Sequence, residues 1–487
     1  MTLVFGWRFF VLLRENMSGT LNLFMKSEVA LSTEQKFHAE PSWRLARNPL
    51  IANRRFTRRD FLRRSALALG AAAASGPMIV PGAVLGRGGI KPPNERVAMG
   101  FIGIGGQGRG HLLGGAWTYV SGGYVSRNDV QVLGVCDVWQ DRRESARQQV
   151  DQFYAAKFGA SNYTPCRAYN DFRDLLDRPD IDGVLIASPV HWHGVMTIMA
   201  AQAGKDVYCE KPTAIVIRES QEMVKAIQRY GRVFQGGTQQ RSEYGARFRR
   251  ACELVRAGRI GRLKEVYAFR PGGSFAWHQF GAPQPVPAGL DWDLALGPAP
   301  WRPYQGTVHA HMFCGIGDIN WGPHHYDFIQ WVLSADRTGP VELFFEKDVL
   351  QYRYADGVVV HACPAPQGGP GGSGGARFIG TQGWIAVDRD DIVSDPPELL
   401  TEPPGPPQPG VYRSDSHSGN FLECVRTRAR TICDIETSHR SASAVLLGGI
   451  ALQLKRTLTW DPQRERFTND DEANRLLSTA FRPPWQI

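Results

Sequence analysis

The chain has 487 residues, 43% of them hydrophobic and 21% charged, with 53 Gly, 32 Pro and 8 Cys. That apolar share is enough for a core and excludes wholesale disorder; the length suits about three units, or two with appendages. The formal charge is +9, but residues 1–75 hold 12 Lys+Arg against 5 Asp+Glu, and the rest of the chain holds 44 against 42. The basicity belongs to the leader, which removes the main argument for a nucleic-acid partner.

In chain order, Thr57-Arg58-Arg59-Asp60-Phe61-Leu62-Arg63 comes first, followed by an uncharged run from Ser65 to Gly86. A paired arginine, a Phe-Leu and a weakly apolar Ala/Gly stretch resemble a bacterial twin-arginine export signal. Pro77 and Pro81 make the run a poor bilayer helix, which disfavours a membrane anchor. The resemblance implies the twin-arginine export machinery as a partner and a periplasmic or otherwise exported location. That route carries folded proteins, so it also implies a cofactor tightly bound before export. Residues 1–90 are set aside as leader and linker. The eight Cys are scattered, with no C-x-x-C, so they indicate neither a zinc cage nor a disulfide framework.

Arg96–Ile102 reads as a buried strand running into Gly103-Ile104-Gly105-Gly106-Gln107-Gly108, with a helix starting near Arg109. Strand, G-x-G-x-x-G and helix in that order form a pyrophosphate cradle. Gly103 allows the tight turn, Gly105 lets backbone approach the phosphates, and Gly108 lets helix and strand close up. A second strand, Val130–Cys136, ends in Asp137, whose carboxylate suits the adenosine ribose hydroxyls and repels a 2′-phosphate. NAD is therefore expected; Arg142 and Arg143, close behind, keep NADP as second choice. The Gly114–Asn128 segment is expected as an inserted loop.

Strand Asp180–Ala187, turn Ser188-Pro189-Val190-His191-Trp192-His193, helix Gly194–Gly204, strand Asp206–Cys209, turn Glu210-Lys211-Pro212, helix Ser220–Tyr230 and strand Arg232–Gln235 follow. The alternation predicts a doubly wound parallel sheet, with ligands beyond the carboxyl ends of its strands. The glycine loop, Asp137, Ser188–His193 and Glu210–Pro212 all fall at such ends.

These motifs, above all Glu210-Lys211-Pro212, resemble the glucose–fructose oxidoreductase / inositol dehydrogenase (Gfo/Idh/MocA) family, from about Asn94 to the C-terminus. The resemblance implies a Rossmann domain over 91–238 and an α+β domain over 239–487, built on a large open, mostly antiparallel sheet. One face of that sheet would line the active site and the other an oligomer interface, so a homo-oligomer is expected. Lys211 would lie near the nicotinamide and the reacting hydroxyl, and Gln239 and Arg241 of Gly237-Thr-Gln-Gln-Arg241 near nicotinamide and substrate. Beyond it, Leu263–Phe269, Val341–Glu346, Leu350–Tyr354, Gly357–Cys363, Arg377–Gly380 and Gly383–Val387 read as strands. The stretch Gly315–Asp327 resembles the family's G-G-x-x-x-D-x-G-x-H-x-x-D, with Asn320 where the family has Asp. An amide can orient His324 but cannot stabilise its imidazolium by charge, so Lys211 or a weaker His324 base must move the proton.

Cofactor contacts are thus expected from Gly103, Gly105, Gly106, Gln107, Gly108, Asp137, Ser188, Pro189, His191, His193, Glu210, Lys211 and Gln239. Substrate contacts are expected from Lys211, Arg241, His324 and His325, and catalysis from Lys211, His324 and Asn320. His309 and His311 match no metal signature, so no metal is expected. Trp292 and Trp301 suit either sugar stacking or core packing. The expected activity is an exported, NAD-dependent oxidoreductase acting on a sugar, glycoside or cyclitol hydroxyl. Its rivals are a redox-neutral lyase or glycosidase and a non-catalytic, NAD-containing sugar-binding protein.

Overall fold

Six parallel strands carry the first half: Val97–Ile102 (β1), Val130–Cys136 (β2), Arg167–Tyr169 (β3), Gly183–Ile186 (β4), Asp206–Cys209 (β5) and Phe234–Gly236 (β6). Their order is 3-2-1-4-5-6, with every pair parallel. β4, β5 and β6 are buried at every residue, as strands covered by helices on both faces must be. The strand order reverses between β1 and β4, which opens a crevice at their carboxyl ends. The computed structural model describes residues 91–487 apart from 116–117, 160–162, 270–280, 307–320, 365–369, 371–373, 402–407 and 409. The leader with its paired arginines, and His309, His311 and Asn320, lie outside the described residues.

The helices of this half are α1 (Gly106–Leu113), α2 (Gly123–Ser126), α3 (Gln140–Phe158), α4 (Phe172–Leu176), α5 (His193–Gln202) and α6 (Ile217–Arg229). The Gly114–Asn128 segment is not simply a loop: it contains α2, anchored by buried Tyr124 and Val125 in the apolar cluster beneath β2. α3 is strongly polar, and Ala146, Val150 and Tyr154 bury one face at four-residue spacing. It stops at Gly159, whose φ is 63°.

The second sheet has nine strands in the order β13-β12-β11-β7-β10-β9-β8-β14-β15. These are Leu263–Ala268 (β7), Glu342–Glu346 (β8), Val349–Arg353 (β9), Val359–His361 (β10), Ala376–Gly380 (β11), Trp384–Val387 (β12), Ile392–Asp395 (β13), Leu458–Asp461 (β14) and Arg466–Phe467 (β15). Only the β7–β10 pair is parallel. The architecture is the expected one: a doubly wound parallel sheet followed by an α+β half on a mostly antiparallel sheet. Arg247–Arg256 (α7) and Gly322–Val332 (α9, after the short α8, Trp292–Leu296) share one apolar cluster with the sheet. The C-terminal chain also returns to the first sheet. Phe421, Leu422 and Cys424 of helix His417–Thr427 join the cluster beneath β1 and β2, and Trp485 packs against Trp192 and Phe172.

Candidate active site

The glycine loop is built as a cradle. Gly103 has φ 85°, and a Cβ there would lie 2.5 Å from the Ser188 nitrogen. A Cβ on Gly108 would lie 1.8 Å from the Gly103 carbonyl oxygen, so α1 could not close onto β1. At Gly106 a Cβ would meet nothing within 4 Å, and at Gly105 only an Arg142 guanidinium nitrogen. The first turn of α1 thus faces open space with its amides and positive dipole end, a site shaped for pyrophosphate.

Asp137 has a second task that its sequence position did not reveal. Its Oδ2 accepts from the Ile104 N–H at 2.6 Å and its Oδ1 from the Trp139 N–H at 2.8 Å, so the carboxylate fixes the glycine loop. Burial pushes its pKa up, against the pull of those amides and of Arg142 and Arg143. A carboxylate offers about four lone-pair directions, which leaves capacity for a ribose hydroxyl.

Around these residues runs a nucleotide arm lined by Ile102, Gly103, Gly105, Gly106, Gln107, Asp137, Ser188, Pro189 and Trp192. Leu294 and Ala295 of α8 close it from the other side. This strap is docked by hydrogen bonds: Gln140 N–H to Gly289 O at 2.9 Å, Asn170 Nδ2 to Asp291 Oδ2 at 2.7 Å, and Trp192 Nε1 to Leu294 O at 2.9 Å. Arg482 near the C-terminus clamps it through Asp293 at 2.6 Å and the Gly297 carbonyl at 2.8 Å.

A second arm of about 420 Å³ shares Gln107, Ala187 and Ser188 with the first, so the two form one cleft. Glu210, Lys211, Pro212, Gln239, Tyr244, Trp321, His324 and Arg389 line it. The Lys211–Pro212 peptide is cis. Glu210 lies beneath Lys211, with Oε1 2.7 Å from His111 Nε2 and 3.2 Å from Gln239 Nε2. Burial pushes its carboxyl up, but His111 and Lys211 outweigh that and hold it below its ordinary value. His324, on the first turn of α9, is buried, and among the described residues its Nδ1 has no hydrogen-bond partner. Burial, then the positive charges of Lys211 and Arg389, hold its pKa well below the ordinary histidine value. It is a neutral imidazole at neutral pH.

Several expected site residues are placed otherwise. Arg241 is not a substrate contact. Its guanidinium is 1% exposed, donates to Asp327 Oδ2 at 2.7 Å and Asp336 Oδ1 at 2.8 Å, and lies over the Trp331 ring. It joins the Gly237–Arg241 crossover to α9 and leaves no edge for a ligand. His325 likewise does not line the cleft; it is buried between Trp321 and Gly374. His191 is a buried spacer with Nε2 3.0 Å from the Ala295 carbonyl, and burial lowers its pKa to about 3. His193 lines the second arm rather than the nucleotide arm, tying two turns together with Nδ1 2.7 Å from Pro212 O and Nε2 2.9 Å from Ser188 O. Trp292 packs on Tyr304 and Trp301 stands 68% exposed, and neither lines the cleft. Among the described residues no group of three His, Cys, Asp or Glu could hold a metal ion, and no helix is long and apolar enough to cross a membrane. His111, Tyr244, Trp321 and Arg389 were not anticipated. Only His111 had a local signal, one helical turn beyond Gln107 on the same face.

A glycine cradle at a strand-order reversal opens here onto a lysine and a buried histidine, the shape of a dinucleotide-binding cleft. The chain belongs to the Gfo/Idh/MocA oxidoreductase family: residues 97–238 match its NAD-binding Rossmann fold and residues 273–487 its C-terminal alpha/beta domain. Over 170 residues it is 32% identical to the 2,7-anhydro-N-acetylneuraminate hydratase of Mediterraneibacter gnavus, covering 35% of this chain and 38% of that protein. Over 169 residues it is 31% identical to the inositol 2-dehydrogenase of Salmonella typhimurium, covering 34% and 44%. The chain therefore spans less than half the length of these curated relatives. The crystal structure of aldose-aldose oxidoreductase from Caulobacter crescentus, complexed with glycerol, shares the fold, with a TM-score of 0.50 at 18% identity over 75% of this chain and 99% of that one.

Proposed function

We propose that this chain is an exported NAD-dependent oxidoreductase acting on a hydroxyl, or the matching carbonyl, of a sugar, glycoside or cyclitol. The observation that carries the reading is the junction of the two arms at Gln107 and Ser188, with the glycine loop and Asp137 on one side and Lys211 and His324 on the other. The likeness to a relative named inositol 2-dehydrogenase supports the substrate class. Asp137 at the ribose end supports NAD over NADP. Bound there, NAD supplies the hydride acceptor.

The chain's own residues handle the proton. His324 is neutral, and its buried Nδ1 has no hydrogen-bond partner among the described residues, so it can accept a proton from a hydroxyl seated in the second arm. Its depressed basicity makes it a weak base, so Lys211, in its neutral amine form, takes the larger share of that transfer. Glu210, held ionised beneath Lys211, accepts from the Lys211 amide at 3.2 Å and keeps the turn in place. Export rests on the Arg58-Arg59 motif. The docked Leu294–Ala295 strap supports a cofactor that stays bound through turnover.

The strap also favours a second reading, a redox-neutral lyase or glycosidase for which a retained NAD, held by the glycine loop and the Leu294–Ala295 strap, would supply a transient hydride acceptor. The relative named as a hydratase is consistent with it. One experiment tests both: denature the purified protein, identify the released nucleotide, then screen glycosides for absorbance at 340 nm and for keto or eliminated products. Absence of both nucleotide binding and product would overturn the oxidoreductase reading.

A further inference from the structure

The strap that closes the nucleotide arm is too short to hold itself. α8 has five residues, little more than one turn, and an isolated helix of that length does not persist in water. Its amino end is capped from within, Asp291 Oδ1 accepting from the Leu294 N–H at 3.0 Å. Its carboxyl end is capped by a residue 185 positions further along the chain. Arg482 donates through Nε to the Gly297 carbonyl at 2.8 Å, through Nη2 to the Asp293 carbonyl at 2.8 Å, and through Nη1 to the Asp293 carboxylate at 2.6 Å. Its own amide donates to the Pro298 carbonyl at 2.9 Å. A guanidinium placed there satisfies carbonyls that the helix end leaves unpaired and meets the negative end of its dipole.

The same C-terminal segment grips the opposite wall of the arm. Trp485 is buried, with its ring centroid 4.6 Å from that of Trp192 and 6.1 Å from that of Phe172. Trp192 and Phe172 line the nucleotide arm, as Leu294 and Ala295 of the strap do from the other side. Wall and strap are in direct contact: the Trp192 indole donates to the Leu294 carbonyl at 2.9 Å, and a Cβ on Gly297 would lie 2.1 Å from its ring. The Trp485 N–H donates to the Arg482 carbonyl at 3.1 Å, so the residue that holds the strap and the residue that holds the wall belong to one turn. Lifting the strap off the arm therefore breaks the Arg482 contacts, the Trp485 contacts or both.

We propose that the Arg482–Trp485 segment is a latch on the cofactor site: Arg482 positions the strap across the nucleotide arm, and its contacts set how slowly the dinucleotide leaves. This rests on the reading of that arm as an NAD site. It makes Arg482 a positioning residue, acting on the cofactor through Leu294 and Ala295.

The test loads the full-length protein with NADH and mixes it with excess NAD, reading the loss of bound-NADH fluorescence as the release rate. The proteins are the wild type, Arg482→Met, Arg482→Lys and Asp293→Ala. Thermal unfolding of each protein without nucleotide runs beside it, because a merely structural role lowers stability and leaves the release rate where it was. Arg482→Met is expected to release NADH about 10-fold to 100-fold faster, the range of hydrogen bonds to a charged group, with the association rate changed far less. Arg482→Lys keeps the charge without the fork and should recover part of the slow release. The Asp293 side chain is 76% exposed, so Asp293→Ala leaves the core intact. It should speed release about twofold to fivefold, as an exposed ion pair allows. Release from Arg482→Met at the wild-type rate overturns the proposal and leaves the NAD reading standing. If Arg482→Met does not fold, Asp293→Ala decides, and unchanged release there overturns the proposal. A wild type that binds no dinucleotide overturns the NAD reading and the latch with it.

Discussion

His111 Nε2 lies 2.7 Å from Glu210 Oε1, with both side chains buried, at 2% and 6% exposure. The contact ties the helix that presents the glycine loop to the turn that presents Lys211. Removing one partner of such a pair strands the other in a dry site. His111→Leu should therefore lower the unfolding free energy by about 3 kcal/mol. The double variant His111→Leu, Glu210→Gln should recover part of that loss, because no charge is then stranded. Urea denaturation of the four proteins measures both. Additive losses would mean that the two side chains are energetically independent.

Asp137 serves the loop and, in this account, the ribose. Asp137→Ala should weaken NAD binding by about 1–3 kcal/mol, the effect of leaving buried polar groups unpaired. It should also lower the melting temperature without nucleotide, because the Ile104 and Trp139 amides lose their acceptor. Titration with NAD and NADP, beside thermal unfolding of the apo protein, separates the two effects. NADP binding as tightly as NAD to the unmodified protein would remove the ribose role and leave only the structural one.

How much of this was legible in the sequence depended on how local each relationship is. Val130–Cys136 and Asp206–Cys209 match the observed strands residue for residue, because a short apolar run bounded by turn residues has few other solutions. The cradle was legible too, since its glycines, strand and helix are contiguous. α3 was not anticipated, because a mostly polar helix with only three buried apolar residues, all on one face, has little apolar periodicity to read. The partners of Arg241 and Asp137 were hidden for another reason. A sequence motif gives a residue's neighbourhood but not which groups are already satisfied there. Asp327 sits 86 residues from Arg241 and takes the guanidinium out of the cleft. Arg389 is brought to the site only by the second sheet, and nothing near it in sequence announces that.

Glu219 is buried at the start of α6 and accepts from the Ile215 N–H at 2.8 Å. Burial raises its pKa to about 8, despite the amides around it. In the unfolded chain a glutamate loses its proton near pH ~4.3. Its contribution to stability is therefore fully present below about pH 4.3 and is lost as pH rises through about 8. Between pH 5 and pH 9, on the order of the window those two values define, the urea midpoint of the wild type should fall more than that of Glu219→Gln. The variant keeps an acceptor but cannot ionise. Equal slopes in the two proteins would show that the carboxyl is already ionised in the fold.

The central claim is that Lys211 moves a proton in the second arm while the cradle, in the first, holds the dinucleotide. Lys211→Met keeps the apolar stem and removes the ammonium. The direct measurement is single-turnover hydride transfer at 340 nm, with NAD titration on the same preparation, using a carbohydrate hydroxyl that the wild type oxidises. The account predicts hydride transfer slower by about 10²–10⁴-fold, the range of a general acid–base group, with NAD affinity retained because the pyrophosphate contacts are backbone amides of the glycine loop. Near-normal hydride transfer in Lys211→Met would contradict it and pass the proton transfer to His324.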